Sequence, residues 1–180
     1  MVVRPKFEQE QLLRTYTYTV IKTPLGYLGA ARTLLGLHTV ILPKRTPNEV
    51  VDAFITKLGE SAVEDEAGFS AFYSSILNYF SGKNVRFDEP LDVGDSTSFE
   101  KRVWLVAATI PWGQVRSYNW VAASIGQSEA WRAVGQALAR NRLPIVIPCH
   151  RVIMKNGDIG GFVEGPAMKR LLLKVEGRVL

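Results

Sequence analysis

IPCHRVI, residues 147–153, contains the only cysteine of the chain, Cys149, and one of its two histidines, His150. Pro148 precedes the pair and Arg151 follows it. Proline has a fixed φ and no backbone N–H, so it stiffens the approach to the thiol. Neighbouring side chains of an extended segment point to opposite faces. Cys149 and His150 therefore cooperate only if the backbone bends between them or a water joins them. What flanks this loop sets the fold of the half that contains it: RAVGQALARN (132–141) upstream and LLLKVEG (171–177) downstream, both with helical spacing.

In the upstream helix, predicted from about Glu129 to Arg140, Arg132, Gln136 and Arg140 recur every fourth residue and share one face. Ala133 and Ala137 are small enough to let a neighbour approach its backbone. Before it, Ser117 caps a short helix, YNWVAASI, and Gly126 turns the chain. Two short helices joined by a glycine turn make a helix-turn-helix pattern, which ordinary helical hairpins share. Earlier still, Ser98 is read as the cap of FEKRVWLVAAT, which PWG (111–113) breaks. Past the cysteine, Asn156-Gly157 marks a tight hairpin or turn.

The last helix, about Ala167 to Val175, ends at Glu176 with Gly177 as its cap. A carboxylate in that position faces the negative end of the helix dipole, which becomes intelligible beside a cationic or proton-donating partner. His150 is a candidate, because a Glu–His–(water)–Cys series can prepare a thiolate. On spacing alone this triad is one arrangement among several, and a lone cysteine is more often an inert buried hydrophobe.

The first half reads as strands and two helices. RTYTYTV (14–20) alternates like a half-buried strand, TPLG (23–26) turns, YLGAAR continues, and LHTVIL (37–42) follows Gly36. Thr46, Pro47 and Glu49 form a capping-box start, Gly59 an end, and AGFSAFYSSILNYF (67–80) a second helix stopping near Ser81-Gly82. His38 lies in an apolar strand without other ligand types nearby, which points to a structural histidine. FDEPLDVGD (87–95) is a linker. The expected fold is α/β of the α+β kind. A small antiparallel-sheet and helix domain occupies residues 1–89, and a mostly helical, winged-helix-like domain occupies 90–180.

Bulk properties narrow the function classes. At 180 residues and 47% hydrophobic, the chain can bury a core as one domain or two small ones. No apolar run reaches the length of a membrane span or a secretory signal, so a soluble intracellular protein is the default. One cysteine excludes an internal disulfide and a cysteine-rich zinc site. The net charge is +5, and residues 1–89 hold ten Lys/Arg against ten Asp/Glu while residues 90–180 hold twelve against seven. The basic excess thus lies entirely in the second half, where an anionic partner such as nucleic acid or a merely solvated basic face would account for it.

Taken together, IPCHRVI, RAVGQALARN, GQVRSY (113–118) and LLLKVEG resemble the O6-alkylguanine-DNA alkyltransferase family, also called methylated-DNA–protein-cysteine methyltransferases. The resemblance covers about residues 98–177. It implies direct-reversal DNA repair in which Cys149 takes the alkyl group from O6 of guanine once and irreversibly. His150 and Glu176 match the family's water-bridged proton relay, Asn141 the asparagine that orders the active-site loop, and Tyr118 the tyrosine beside the guanine ring. Arg132 matches the arginine that fills the gap left by the flipped base, and its helix, including Gln136, would lie in the minor groove. Ser117, Tyr118, Asn119 and Gln127 fall where the family contacts phosphates. Phe162 and Val163 would line the substrate pocket.

The resemblance further implies a monomer that acts on double-stranded DNA containing O6-alkylguanine, without cofactor or metal. It would work in the cytoplasm of a prokaryote, at the nucleoid, or in a eukaryotic nucleus. The chemistry agrees: an alkyl carbon needs a soft, strong nucleophile, and a buried target atom requires base flipping. Three residues depart from the family pattern. Val163 and Glu164 replace smaller or polar residues beside the pocket, and Trp131 replaces an alanine often found before the arginine. Two other readings remain: a sensor of alkylated or flipped bases without chemistry, which Cys149 argues against, and a cysteine hydrolase, which would need an oxyanion hole.

Overall fold

The computed structural model describes residues 15–59 and 62–179, and they form two compact units interleaved in sequence. The first comprises the described residues up to Ile76 together with Phe87–Asp92. The second comprises Leu77–Arg86 and the chain from Val93 onward.

The first unit is built on a four-stranded sheet. Strands β1 (Thr17–Thr23), β2 (Gly26–Thr33) and β3 (Gly36–Lys44) form an antiparallel meander. The short β4 (Val63–Glu64) adds to β1 in parallel, giving the order β3-β2-β1-β4. The predicted first strand is β1 displaced toward the N-terminus, and Arg14 lies outside the described residues. At the expected TPLG turn the Thr23 hydroxyl donates to Gly26 O at 2.8 Å and accepts the Leu25 N–H at 3.2 Å.

Helix α1 (Pro47–Leu58) begins as predicted, with the Thr46 hydroxyl accepting the Glu49 N–H, and ends at Gly59 with φ 84°. It lays Val50 and Phe54 on Ala31 and Ile41 of the sheet. The approach is so close that a Cβ on Gly29 would sit 2.4 Å from Val50 Cγ1 and 2.6 Å from Phe54 Cζ. His38 is buried, its Nδ1 2.8 Å from Thr39 Oγ1 and its ring 5.1 Å from that of Tyr16. Helix α2 (Ser70–Phe80) starts three residues later than predicted. Asp65 Oδ1 accepts the Gly68 N–H at 3.0 Å, and Ala67–Phe69 wind as a 3₁₀ turn instead.

The second unit contains α3 (Ser98–Ala108), α4 (Tyr118–Ser124), α5 (Trp131–Ala139) and α6 (Gly165–Val175). A short parallel pair, β5 (Arg116–Ser117) with β6 (Val152–Ile153), joins the start of α4 to the segment after the cysteine. The cap of α3 is Thr97, one residue before the predicted Ser98. Thr97 Oγ1 accepts the Glu100 N–H at 3.2 Å while Glu100 Oε2 accepts the Thr97 N–H at 2.9 Å. Both halves of a capping box are present, because it is Thr97 that has a glutamate three residues on. Ser117 caps α4 as expected, accepting the Trp120 N–H at 3.1 Å.

Gly126, with φ 74°, turns the chain between α4 and α5, and Trp104 Nε1–H ties α3 to α5 by donating to Ala137 O at 2.8 Å. The Asn156-Gly157 segment is a turn: Met154 N–H reaches Asp158 O at 2.9 Å and Gly157 N–H reaches Met154 O at 3.1 Å.

Loss of the capping hydroxyl in Thr97→Ala will lower stability by about 1 kcal/mol, read as a lower urea midpoint at constant slope. Ser98→Ala, on an exposed position, will change it by less than about 0.5 kcal/mol. Equal effects of the two would sink the assignment of the cap.

Candidate active site

Cys149–Arg151 form a single 3₁₀ turn after Pro148, whose ψ is 61°. This is the bend that adjacency of the two reactive side chains required. The turn is closed by Cys149 N–H to Ile147 O at 2.8 Å and Arg151 N–H to Pro148 O at 3.0 Å. Asn141, just past α5, orders the loop before it. Its Oδ1 accepts the Leu143 N–H at 2.9 Å, and its Nδ2 donates to Ile147 O at 2.9 Å and to Cys149 Sγ at 3.1 Å. Within that loop Ile145 has φ 75°, a conformation that costs a β-branched residue about 1–3 kcal/mol. Its burial, and the Ile147 N–H to Leu143 O bond at 2.8 Å across it, hold the strained backbone in place.

Behind the turn lies a buried anion. Glu176 accepts five hydrogen bonds among the described residues. His150 Nε2 and Arg151 Nη2 reach Oε1 at 2.7 and 2.9 Å, and the Tyr79 hydroxyl does so at 3.2 Å. Arg151 Nε and the Gly113 N–H reach Oε2 at 2.8 and 3.2 Å. Burial alone would raise this carboxyl. The hydrogen bonds from His150 and Arg151, with the Arg151 charge, outweigh it and hold Glu176 down at about 2. Because the carboxylate is ionised, His150 Nε2 carries the hydrogen. Burial keeps the imidazole itself neutral, below its ordinary pKa, against the opposing pull of Glu176. The other nitrogen, Nδ1, is buried without a hydrogen-bond partner among the described residues. It is thus an acceptor in waiting.

Burial likewise pushes the Cys149 thiol above its ordinary value, more than the Asn141 hydrogen bond and the charge of Lys169 pull it down. The resting pair is therefore a neutral thiol beside a neutral base. In front of the sulfur opens a cavity of about 420 Å³, within the usual range for ligand pockets. Tyr118, Phe162 and Met154 line it, Arg132 and Gln136 come from α5, and Trp131 lies beside them.

Lys169, on α6, is fully buried against Tyr118 and Gly161, two residues that line this cavity. Its Nζ donates to Val152 O at 2.5 Å and Gly161 O at 3.2 Å, and lies 3.5 Å from the Tyr118 hydroxyl. Burial lowers it to about 8. Burial also raises Tyr118.

The structure thus brings Cys149, His150, Glu176 and Asn141 into one cluster, with Tyr118, Arg132, Gln136, Phe162 and Val163 around the adjoining cavity. Asn119 lines a neighbouring hollow. Ser117 spends its hydroxyl on capping α4, and Gln127 sits exposed in the turn before α5.

Three functional groups were not singled out from sequence. Arg151 stands in the sequence only as the residue after the Cys149–His150 pair, but it grips Glu176 with two nitrogens. Lys169 had a signal: Lys169, Leu172, Leu173 and Glu176 share one helical face at i, i+3, i+4 and i+7, which marks the lysine as buried. Tyr79, 97 residues from Glu176, had none.

Two outcomes follow from these charges. A depressed carboxyl contributes stability that is complete above its unfolded value of about 4.3 and disappears as pH falls through about 2. Urea midpoints of the wild type will therefore fall across that window, and Glu176→Gln will flatten the fall; parallel curves would contradict the assignment. Removing the donor to sulfur in Asn141→Ala will raise the thiol further and cut its thiolate fraction about tenfold. The check is the pH midpoint of Cys149 alkylation by iodoacetamide, and an unchanged or lower midpoint would rule the role out.

Comparison with known proteins agrees with this geometry. Residues 16–93 match the family described as 6-O-methylguanine DNA methyltransferase, ribonuclease-like domain, and residues 98–178 match its DNA binding domain. The methylated-DNA–protein-cysteine methyltransferase of Methanosarcina acetivorans is 37% identical over 161 residues, covering 89% of this chain and 97% of that one. The Saccharolobus islandicus protein of the same name is 36% identical over 160 residues, covering 89% and 95%. Among solved structures, Mycobacterium tuberculosis OGT in complex with DNA superposes with a TM-score of 0.75 at 34% identity, covering 89% of this chain and 92% of that one. Matched by both family models and by relatives along nearly its whole length, this chain belongs to the methylated-DNA–protein-cysteine methyltransferase family.

Proposed function

We propose that the protein repairs DNA by direct reversal, moving the alkyl group of an O6-alkylguanine onto Cys149 in a single turnover. The observation that carries this reading is the thiol facing a cavity of base-holding size, with a neutral histidine behind it hydrogen-bonded to a glutamate held ionised at neutral pH. A flipped guanine enters the cavity with its alkyl carbon toward Sγ. The S–C bond forms as the C–O6 bond breaks. The thiol proton passes to His150 Nδ1, through a bridging water, and Glu176 stabilises the imidazolium that results. Keeping the thiol neutral until then protects it from adventitious electrophiles.

The leaving base must not depart as an anion. The Tyr118 hydroxyl donates to the guanine ring, and the Lys169 ammonium beside it lowers the cost of the phenolate. After transfer His150 gives up its proton and Tyr118 takes one back, directly or through solvent, so the net change is one proton from sulfur to guanine.

The substrate is double-stranded DNA, engaged by a monomer. Arg132 fills the space of the flipped nucleotide. Gln136 follows it on the same face of α5, while Ser117, Asn119 and Gln127 hold the backbone near the lesion. Phe162 and Val163 form the wall that the alkyl group meets. The basic excess of the second half supplies attraction independent of sequence. Such a protein works where the DNA is, at the nucleoid or in a nucleus. Among the described residues no helix is long and apolar enough to cross a membrane.

Intact mass after incubation with a duplex holding one O6-methylguanine will show a gain of one methyl group per protein. The gain will stop there and be absent in Cys149→Ser. Tight lesion binding without a mass change would favour a sensor, and turnover on a thiol-reactive ester would favour a hydrolase.

A further inference from the structure

A second hollow, of about 320 Å³, adjoins the thiol cavity and shares Tyr118, Trp131 and Met154 with it; Asn119, Lys155 and Asn156 complete its lining. Its walls combine flat or soft apolar surfaces with an ammonium and two amides, the combination that grips a nucleotide by base stacking and phosphate contact. Asn156 is fixed in its turn, donating from Nδ2 to Asp158 Oδ2 at 2.7 Å and accepting the Asp158 N–H at 3.2 Å. Lys155 makes no ion pair with the described residues and is exposed, free to meet an anion. Trp131 is half-buried between the two hollows, and the Arg132 guanidinium lies over its ring at 4.5 Å from the centroid.

From this arrangement we infer that the second hollow is a subsite for the nucleotide adjacent to the flipped one on the same strand, with Trp131 as its stacking platform. The inference rests on the base-flipping reading given above. In the free protein the ring of Trp131 is covered by Arg132, a cation–π contact. When Arg132 moves into the gap in the duplex, it uncovers that ring, and the neighbouring base takes the position the guanidinium leaves. Lys155 meets the phosphate between the two nucleotides. The strand is then held on both sides of Tyr118, with the flipped base in one hollow and its neighbour in the next. A tryptophan at the start of α5 thus couples arginine insertion to capture of the flanking nucleotide.

The experiment uses the full chain and duplexes with one O6-methylguanine, carrying at the neighbouring position on either side a normal base, an abasic site or 2-aminopurine. An abasic neighbour also eases flipping, so the comparison is between proteins. The ratio of transfer rates, normal over abasic, will fall about tenfold in Trp131→Ala relative to wild type, while Trp131→Phe keeps most of it. On a Cys149→Ser background, 2-aminopurine on one side will be quenched on binding, and Trp131→Ala will abolish the quench. The same ratio in wild type and Trp131→Ala, with transfer intact and no Trp131-dependent quench, overturns the subsite and leaves the repair reading standing. A Trp131-dependent quench without any transfer does the reverse.

Discussion

An ionised carboxylate buried at the end of a helix organises the second unit of this protein. Taking a charge out of water costs several kcal/mol unless the surroundings replace its hydration, and the dipole of α6 adds to the cost at Glu176. Five donors meet that demand, drawn from α2, the loop before β5 and the 3₁₀ turn at the cysteine. Segments far apart in sequence must therefore converge on one point. Their convergence places His150 with one nitrogen committed and the other available.

The opposite electrostatic logic holds on the other side of the histidine. There the thiol is buried, and burial outweighs the Asn141 amide and the backbone hydrogen bonds at its sulfur, so it stays protonated at rest. A neutral thiol and a neutral imidazole, with an anion behind them, make a site in which charge separates only when a proton moves. Asn141 serves both needs, since the amide that donates to sulfur also holds Ile147 and Leu143 around the strained Ile145. Rigidity of the loop and tuning of the thiol are consequences of one side chain.

The helix-turn-helix acquires its meaning from this placement. α5 delivers Arg132 and Gln136 to the mouth of the cavity, while its inner face is tied to α3 through Trp104. α4 carries Tyr118 at its first position, pinned by the Ser117 cap and the β5–β6 pair. The helix-turn-helix and the cavity before the thiol are consequently built from shared residues, Tyr118 among them.

Much of this was legible in the residues themselves, because local rules determine local structure. The caps at Thr46 and Ser117, the glycine turn at Gly126 and the strand alternation of β1 depend on side chains within a few residues of each other, and the structure keeps them. Cys149 and His150 stood out as rare reactive groups, and the misplaced charge of Glu176 announced a partner. The cap of α3 was missed by one residue where two hydroxyl residues compete and only the glutamate spacing decides. What only the tertiary structure decided was which distant groups share an environment. Tyr79 beside Glu176, Arg151 turned inward rather than outward, and Lys169 against Tyr118 are contacts across tens of residues. So are the pKa directions, since burial sets those of Cys149, His150 and Lys169 while contacts from distant residues overcome it at Glu176, and both are properties of the packed fold. Sequence by itself determined the elements and the reactive types; packing decided their protonation and their aim.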